Sequence, residues 1–182
     1  KFPRLYNTFI LNDILQLVKN GNNVLIFSIY KPHDQVVNPG SLELLNTTYY
    51  LDDFVNQNDN LFLRYYNQFE RKRKITRYFW RVLRNAVLPI LSFSTYGKNY
   101  SKDLGLNIFA LEPVAHKIKE ENVDLIHGAF GGVCATAAMI LSDLTGIPFT
   151  FEAHARDLFV TFHHGKEKTR KAKRIFTISN YN

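Results

Sequence analysis

The sequence predicts an α/β protein built on a doubly wound parallel sheet. Two observations carry that prediction. Short, nearly all-apolar runs sized for strands recur along the chain, as they do when helices cover both faces of a sheet. Segments of helical period, some amphipathic and one rich in alanine, stand between those runs.

Taken in order, residues 8–20 place Phe9, Ile10, Ile14, Leu17 and Val18 at helical spacing. Asn7 is positioned to cap the start of that helix and Gly21 to end it. Residues 24–30 form a buried strand that stops at Lys31-Pro32. Residues 46–51, enriched in Thr and Tyr, form a short strand, and the stretch between, with Pro32, Pro39 and Gly40, is a loop. Residues 59–91 read mostly as helix, in one or two pieces. A helix over 110–122 leads into the compact strand 123–127. Gly131-Gly132 then turns the chain into the alanine-rich helix 133–144, which Gly146 ends. The strand 149–153 follows Ile147-Pro148, then a short basic helix over 166–172 and a strand over 174–179. Asn180-Tyr181-Asn182 resembles the cap of a further helix.

No repeat, low-complexity tract or Gly/Ser/Pro linker interrupts this series, so one Rossmann-like domain over residues 1–182 is expected. Such a sheet needs a central first strand, and too few residues precede the first helix to supply it. That strand is expected upstream of Lys1, with the chain truncated at both ends.

The chain has 182 residues, 46% of them hydrophobic, which suffices for a core and argues against disorder. No apolar run approaches the ~20 residues that span a bilayer. Cys134 is the only cysteine, so an internal disulfide is excluded and a reducing compartment, the cytoplasm, is expected. The net charge of +7 is concentrated in two patches on a mildly acidic body. One runs from Glu70 to Arg84, the other from His164 to Arg174. Such patches fit phosphate groups or an anionic membrane surface as well as nucleic acid. No zinc-ligand spacing is present; His163 and His164 are adjacent, which is poor geometry for a shared metal. Neither a nucleophile elbow nor a phosphate-loop lysine motif occurs.

Three ordered blocks carry a recognisable pattern. The first is Phe2-Pro3-Arg4-Leu5-Tyr6-Asn7-Thr8-Phe9, entering a helix. The second is Asp124-Leu125-Ile126-His127-Gly128-Ala129-Phe130-Gly131, followed by the alanine-rich helix. The third is Gly146-Ile147-Pro148-Phe149, then Glu152-Ala153-His154-Ala155-Arg156-Asp157, closing with Ile178-Ser179-Asn180-Tyr181-Asn182. Together they resemble family-4 glycosyltransferases of GT-B fold, particularly the branch that builds colanic-acid-like exopolysaccharides. The resemblance covers about half the chain, and residues 31–110 carry little of it. Tyr6 and Asn7 stand where the family usually has Ser and Glu, and Ala129 replaces a second histidine.

The resemblance implies the N-terminal, acceptor-side domain of a retaining hexosyltransferase. Its donor would be a nucleotide-diphosphate sugar and its acceptor a saccharide or lipid-linked saccharide. The donor-binding C-terminal domain would be its intramolecular partner, with no cofactor and no metal. By the same resemblance His154 is the catalytic candidate, touching the donor sugar or the charge on the leaving diphosphate. Asp157 would shape the acceptor pocket and Arg156 would set specificity or be solvated. Arg4, Asn7 and Thr8 would face the donor diphosphate, where a helix N-terminus presents free N–H groups. His127 ends a strand, either as a ligand-facing residue or as a buried structural histidine. Gly131 and Gly132 allow a tight turn and a weakly signalled phosphate cradle.

Other readings are a sugar-nucleotide epimerase, for which carboxylates placed for proton abstraction are lacking, and a non-catalytic lipid- or saccharide-binding module. Nucleic acid is not an expected partner. Arg73, Arg77, Arg81 and Arg84 share one face of the predicted helix, with Ile75, Phe79, Val82, Ala86 and Ile90 on another. That stripe is either a solvated face or a membrane contact on the inner face of the plasma membrane, where each basic residue contributes ~1 kcal/mol. Replacing the four arginines by Gln is expected to weaken binding to anionic liposomes at low salt. Equal binding by both versions would mark the stripe as a solvated face only.

Overall fold

The computed structural model describes residues 1–4, 7–33, 38–56, 111–159 and 165–178. The chain divides into two compact units, Lys1–Gln57 and Asn58–Asn182, where the sequence predicts one domain. Among the described residues the strands form two hydrogen-bonded sheets, one in each unit.

In the first unit, helix α1 spans Thr8–Lys19. Its inner face is Leu11, with Ile10, Ile14 and Leu15, packed on Phe2, Leu44 and Ile26. Phe9, Leu17 and Val18, expected on the buried face, are exposed, because the core contacts come from the neighbouring stripe. Gly21 ends the helix at φ +83°, a left-handed conformation that a side chain would strain. Asn7 does not cap the start: its side-chain amide donates to the Lys1 carbonyl at 2.9 Å. Strand β1 is Ile26–Ser28 and pairs in parallel with β2, Thr48–Tyr50. Lys1–Arg4 form no strand; instead the Phe2 N–H donates to Ser28 Oγ at 2.9 Å.

Part of the expected loop between the strands is helical. A 3-10 helix occupies Pro39–Thr47, opened by Asn38, whose side chain accepts from the Gly40 N–H at 3.0 Å. It buries Ser41 and Leu44. After β2, helix α2 covers Leu51–Asn56, and Phe27, Tyr49 and Phe54 gather their rings beside it.

The second unit is the larger. Helix α3, Leu111–Glu120, packs on helix α4, Val133–Thr145. Strands β3 (Ile126–Gly128), β4 (Phe149–Ala153) and β5 (Arg174–Thr177) lie side by side in that order, all parallel. Ala135, Ala138 and Met139 of α4 pack against Phe149, Phe151 and Ala153, and this is the core of the unit. Two short helices, α5 (Ala155–Phe159) and α6 (Gly165–Lys171), lie between β4 and β5. Strand β5 departs from the all-apolar expectation: Ile175 reaches the core, while Arg174 and Phe176 are exposed. The architecture is thus mixed α/β with parallel sheets of two and three strands. No helix among the described residues is long and apolar enough to cross a membrane. The predicted helix over 59–91 lies outside the described residues.

The joint between β3 and α4 is tight. A methyl group on Gly128 would lie 2.9 Å from Ala135 Cα and 3.0 Å from its nitrogen. Both obstructing atoms are backbone, so helix and strand would have to separate. Gly128→Ala is expected to destabilise the fold by about 1–3 kcal/mol, as overpacking does. An unchanged urea midpoint would show that α4 moves back at little cost.

Candidate functional site

Parallel strands bring their carboxyl ends to one edge, and in open α/β sheets that edge is where ligands bind. In the second unit the loop after β3, the start of α5 after β4, and α6 converge there. They bring together His154, Asp157, Gly131 and Gly132 from the sequence candidates. Lys168 and Glu152 join them.

His154 follows Ala153, the last residue of β4, and precedes the first residue of α5. The Asp157 carboxylate reaches back and accepts from the His154 backbone N–H at 3.2 Å. This is one half of a capping box, in which the third helical residue satisfies the amide at the helix start. The His154 ring lies against Phe130, with centroids 5.4 Å apart. Its Nε2 stands 3.6 Å from Glu152 Oε1, an ion pair whenever the imidazole is protonated but too long for a hydrogen bond.

Asp157 is buried, with its Cβ pressed on the glycine turn. A methyl group on Gly131 would lie 3.0 Å from Asp157 Cβ and 3.4 Å from Ala153 Cβ; one on Gly132 would lie 3.5 Å from Asp157 Oδ1. Close approach to this side chain therefore disfavours a side chain at Gly131, while at Gly132 a methyl group would make only an ordinary contact. The carboxylate expected to shape an acceptor pocket is engaged with the protein's own backbone.

Beneath the turn lies Lys168, at 0% exposure. Its Nζ donates to the Gly131 carbonyl at 2.7 Å and to the Gly132 carbonyl at 2.8 Å. Burial lowers its pKa from 10.5 to about 8, against the opposing pull of Asp157 and Cys134. Burial also pushes the Cys134 thiol up. With both carbonyls turned to the ammonium, the turn is held by a charge the sequence placed in the basic patch.

His127 is on β3 and exposed, which corrects the reading of it as a buried histidine. Its Nδ1 lies 2.8 Å from Thr150 Oγ1, and the ring meets Phe176 edge-on. Arg156 is exposed on α5. Arg4, Asn7 and Thr8 belong to the first unit, where the Asn7 N–H donates to the Arg4 carbonyl at 3.2 Å and Thr8, exposed, begins α1. The stripe Arg73, Arg77, Arg81 and Arg84 lies outside the described residues. No group of three or more His, Cys, Asp or Glu among the described residues is placed to hold a metal ion.

Two residues escaped the sequence reading, although each left a signal. Glu152 lies two positions before His154, so strand alternation puts both on one face. Lys168 lies four positions before Ala172, the α6-end residue that packs on the core, and so shares its inward face.

The buried ammonium has a pH signature. Between pH 8 and 10.5 the unfolded chain still holds the Lys168 proton while the folded protein has released it, so stability rises with pH across that window. Relative to Lys168→Met, the native chain is expected to gain up to about 3 kcal/mol there, read by urea unfolding. A constant difference between the two would show that folding does not lower the lysine's proton affinity. In comparisons with known proteins, no family model, no curated protein and no solved structure matches the chain.

Proposed function

We propose that this chain is the acceptor-side domain of a retaining, GT-B, family-4 type glycosyltransferase. It would move a hexose from a nucleotide-diphosphate sugar to a saccharide or lipid-linked saccharide in exopolysaccharide or cell-envelope glycan synthesis. The observation that carries the reading is the setting of His154. It stands at the carboxyl edge of a parallel sheet, inside the block Glu152-Ala153-His154-Ala155-Arg156-Asp157 that resembles the family, with its backbone held by Asp157. An imidazole in that place donates a hydrogen bond to the donor sugar, or to charge building on the diphosphate as it departs. Phe130 restricts the ring from one side and Glu152 offers a counter-charge, so little reorientation is left for the reaction itself. Working at the cytoplasmic face of the membrane, on acceptors made there, fits the basic stripe.

A second reading, a non-catalytic saccharide- or lipid-binding module, is favoured by one observation. Asp157 and Lys168 both direct polar atoms to backbone groups of the protein. The two readings separate on turnover: a binding module retains saccharide without releasing nucleotide from any donor.

Groups aimed at developing charge typically contribute ~3 kcal/mol to the barrier. His154→Ala in the full-length protein is therefore expected to lower the turnover number about a hundredfold or more, with little change in melting temperature. Near-normal transfer together with a collapsed melting temperature would make His154 a structural histidine and sink the catalytic assignment.

A further inference from the structure

We infer that Lys168 is the positioning residue of this site: by holding the Gly131 and Gly132 carbonyls inward, it sets where His154 stands. The inference deepens the proposed function, resting on it for the importance of His154, while the geometry is independent of any substrate.

Lys168 differs from the other basic residues of its helix. Lys166 and Arg170 are exposed, and Lys171 pairs with Asp143 and Glu167. Lys168 is fully buried, a setting that penalises an ammonium unless every bond it makes is well formed. An apolar side chain of similar length would fill the same space without that penalty. What it would not do is donate to the buried Gly131 carbonyl and the part-buried Gly132 carbonyl, 37 and 36 positions away in sequence. The lysine's distinctive contribution is therefore the orientation of the turn.

From the turn, two routes lead to His154. The first passes through packing: Gly131 lies so close to Asp157 that a methyl group there would come within 3.0 Å of its Cβ, and Asp157 holds the His154 N–H. The second passes through Phe130, the residue before Gly131, whose ring lies against the imidazole. The Phe130 carbonyl accepts from the Ala135 N–H at 3.0 Å, and the Gly132 carbonyl accepts from the Thr136 N–H at 3.2 Å, which ties the turn to the first turn of α4. A shift of the glycine peptides moves backbone and ring supports of His154 together.

The test uses the isotope-labelled chain and needs no sugar donor. In Lys168→Met, the amides of Ala135 and Thr136 are expected to exchange about tenfold faster or more, while those of Met139 and Ile140 deeper in α4 keep their rates. The His154 ring resonances are expected to shift. A merely structural lysine would lower the melting temperature and leave the His154 ring resonances in place, and that result would overturn the inference. Should Lys168→Met fail to fold, Lys168→Gln, which keeps N–H donors on a shorter arm, is read in the same way and with the same two outcomes. If the full-length protein transferred no sugar, the proposed function would fall and a moved His154 would still support the positioning. If it transferred sugar and His154 stayed unmoved, the positioning alone would fall.

Discussion

One ammonium group on two glycine carbonyls organises the second unit. Placing a full charge at zero exposure is unfavourable in itself, and burial lowers its pKa to about 8 even against the pull of Asp157 and Cys134. The arrangement persists because the alternative is worse in kind: the buried Gly131 carbonyl would lose its ammonium donor. Neutral or charged, an amine carries at least two N–H bonds, one for each carbonyl. The geometry of the turn therefore does not require the proton, although its electrostatics respond to it.

Much of the rest follows from the space this turn leaves. Gly131 must lack a side chain because Asp157 occupies its flank, and Gly128 must lack one because the backbone of α4 does. Asp157, wedged there, is in reach of the His154 amide, and Phe130 is swung against the ring. The first unit uses a smaller device of the same sort. The Ser28 hydroxyl accepts from the Phe2 N–H and donates to the Tyr30 carbonyl, joining the chain's first residues to the end of β1.

The sequence was most legible where backbone preference and burial agree. Strand β4 appears over the residues expected, since Phe149, Phe151 and Ala153 alternate toward a core that α4 fills with Ala135 and Ala138. The helix ends at Gly21 and Gly146 were readable because only glycine takes positive φ there without strain. Legibility failed where a choice is made by contacts remote in sequence. Asn7 could cap α1, but the Lys1 carbonyl drew its side chain away. The 3-10 helix over Pro39–Thr47 is assembled from side-chain bonds by Asn38, Thr47 and Thr48, and its residues have no regular apolar period. Of the candidate site, His154 and Asp157 were singled out by the resemblance, and the glycine pair by its capacity for a tight turn. Lys168 was hidden inside a run of basic residues, where its spacing to Ala172 was the one local sign of an inward position.

The bonds of Lys168 also bear on how the site comes into being. A turn held by its own neighbours can form early and persist in a partly folded chain. The glycine turn has instead a partner that arrives only when α6 docks, after α4 and β4 have been laid down between them. Its shape is thus only partly a local property: β3 and α4 hold the flanks of the turn, while the orientation of the Gly131 carbonyl depends on a residue of α6.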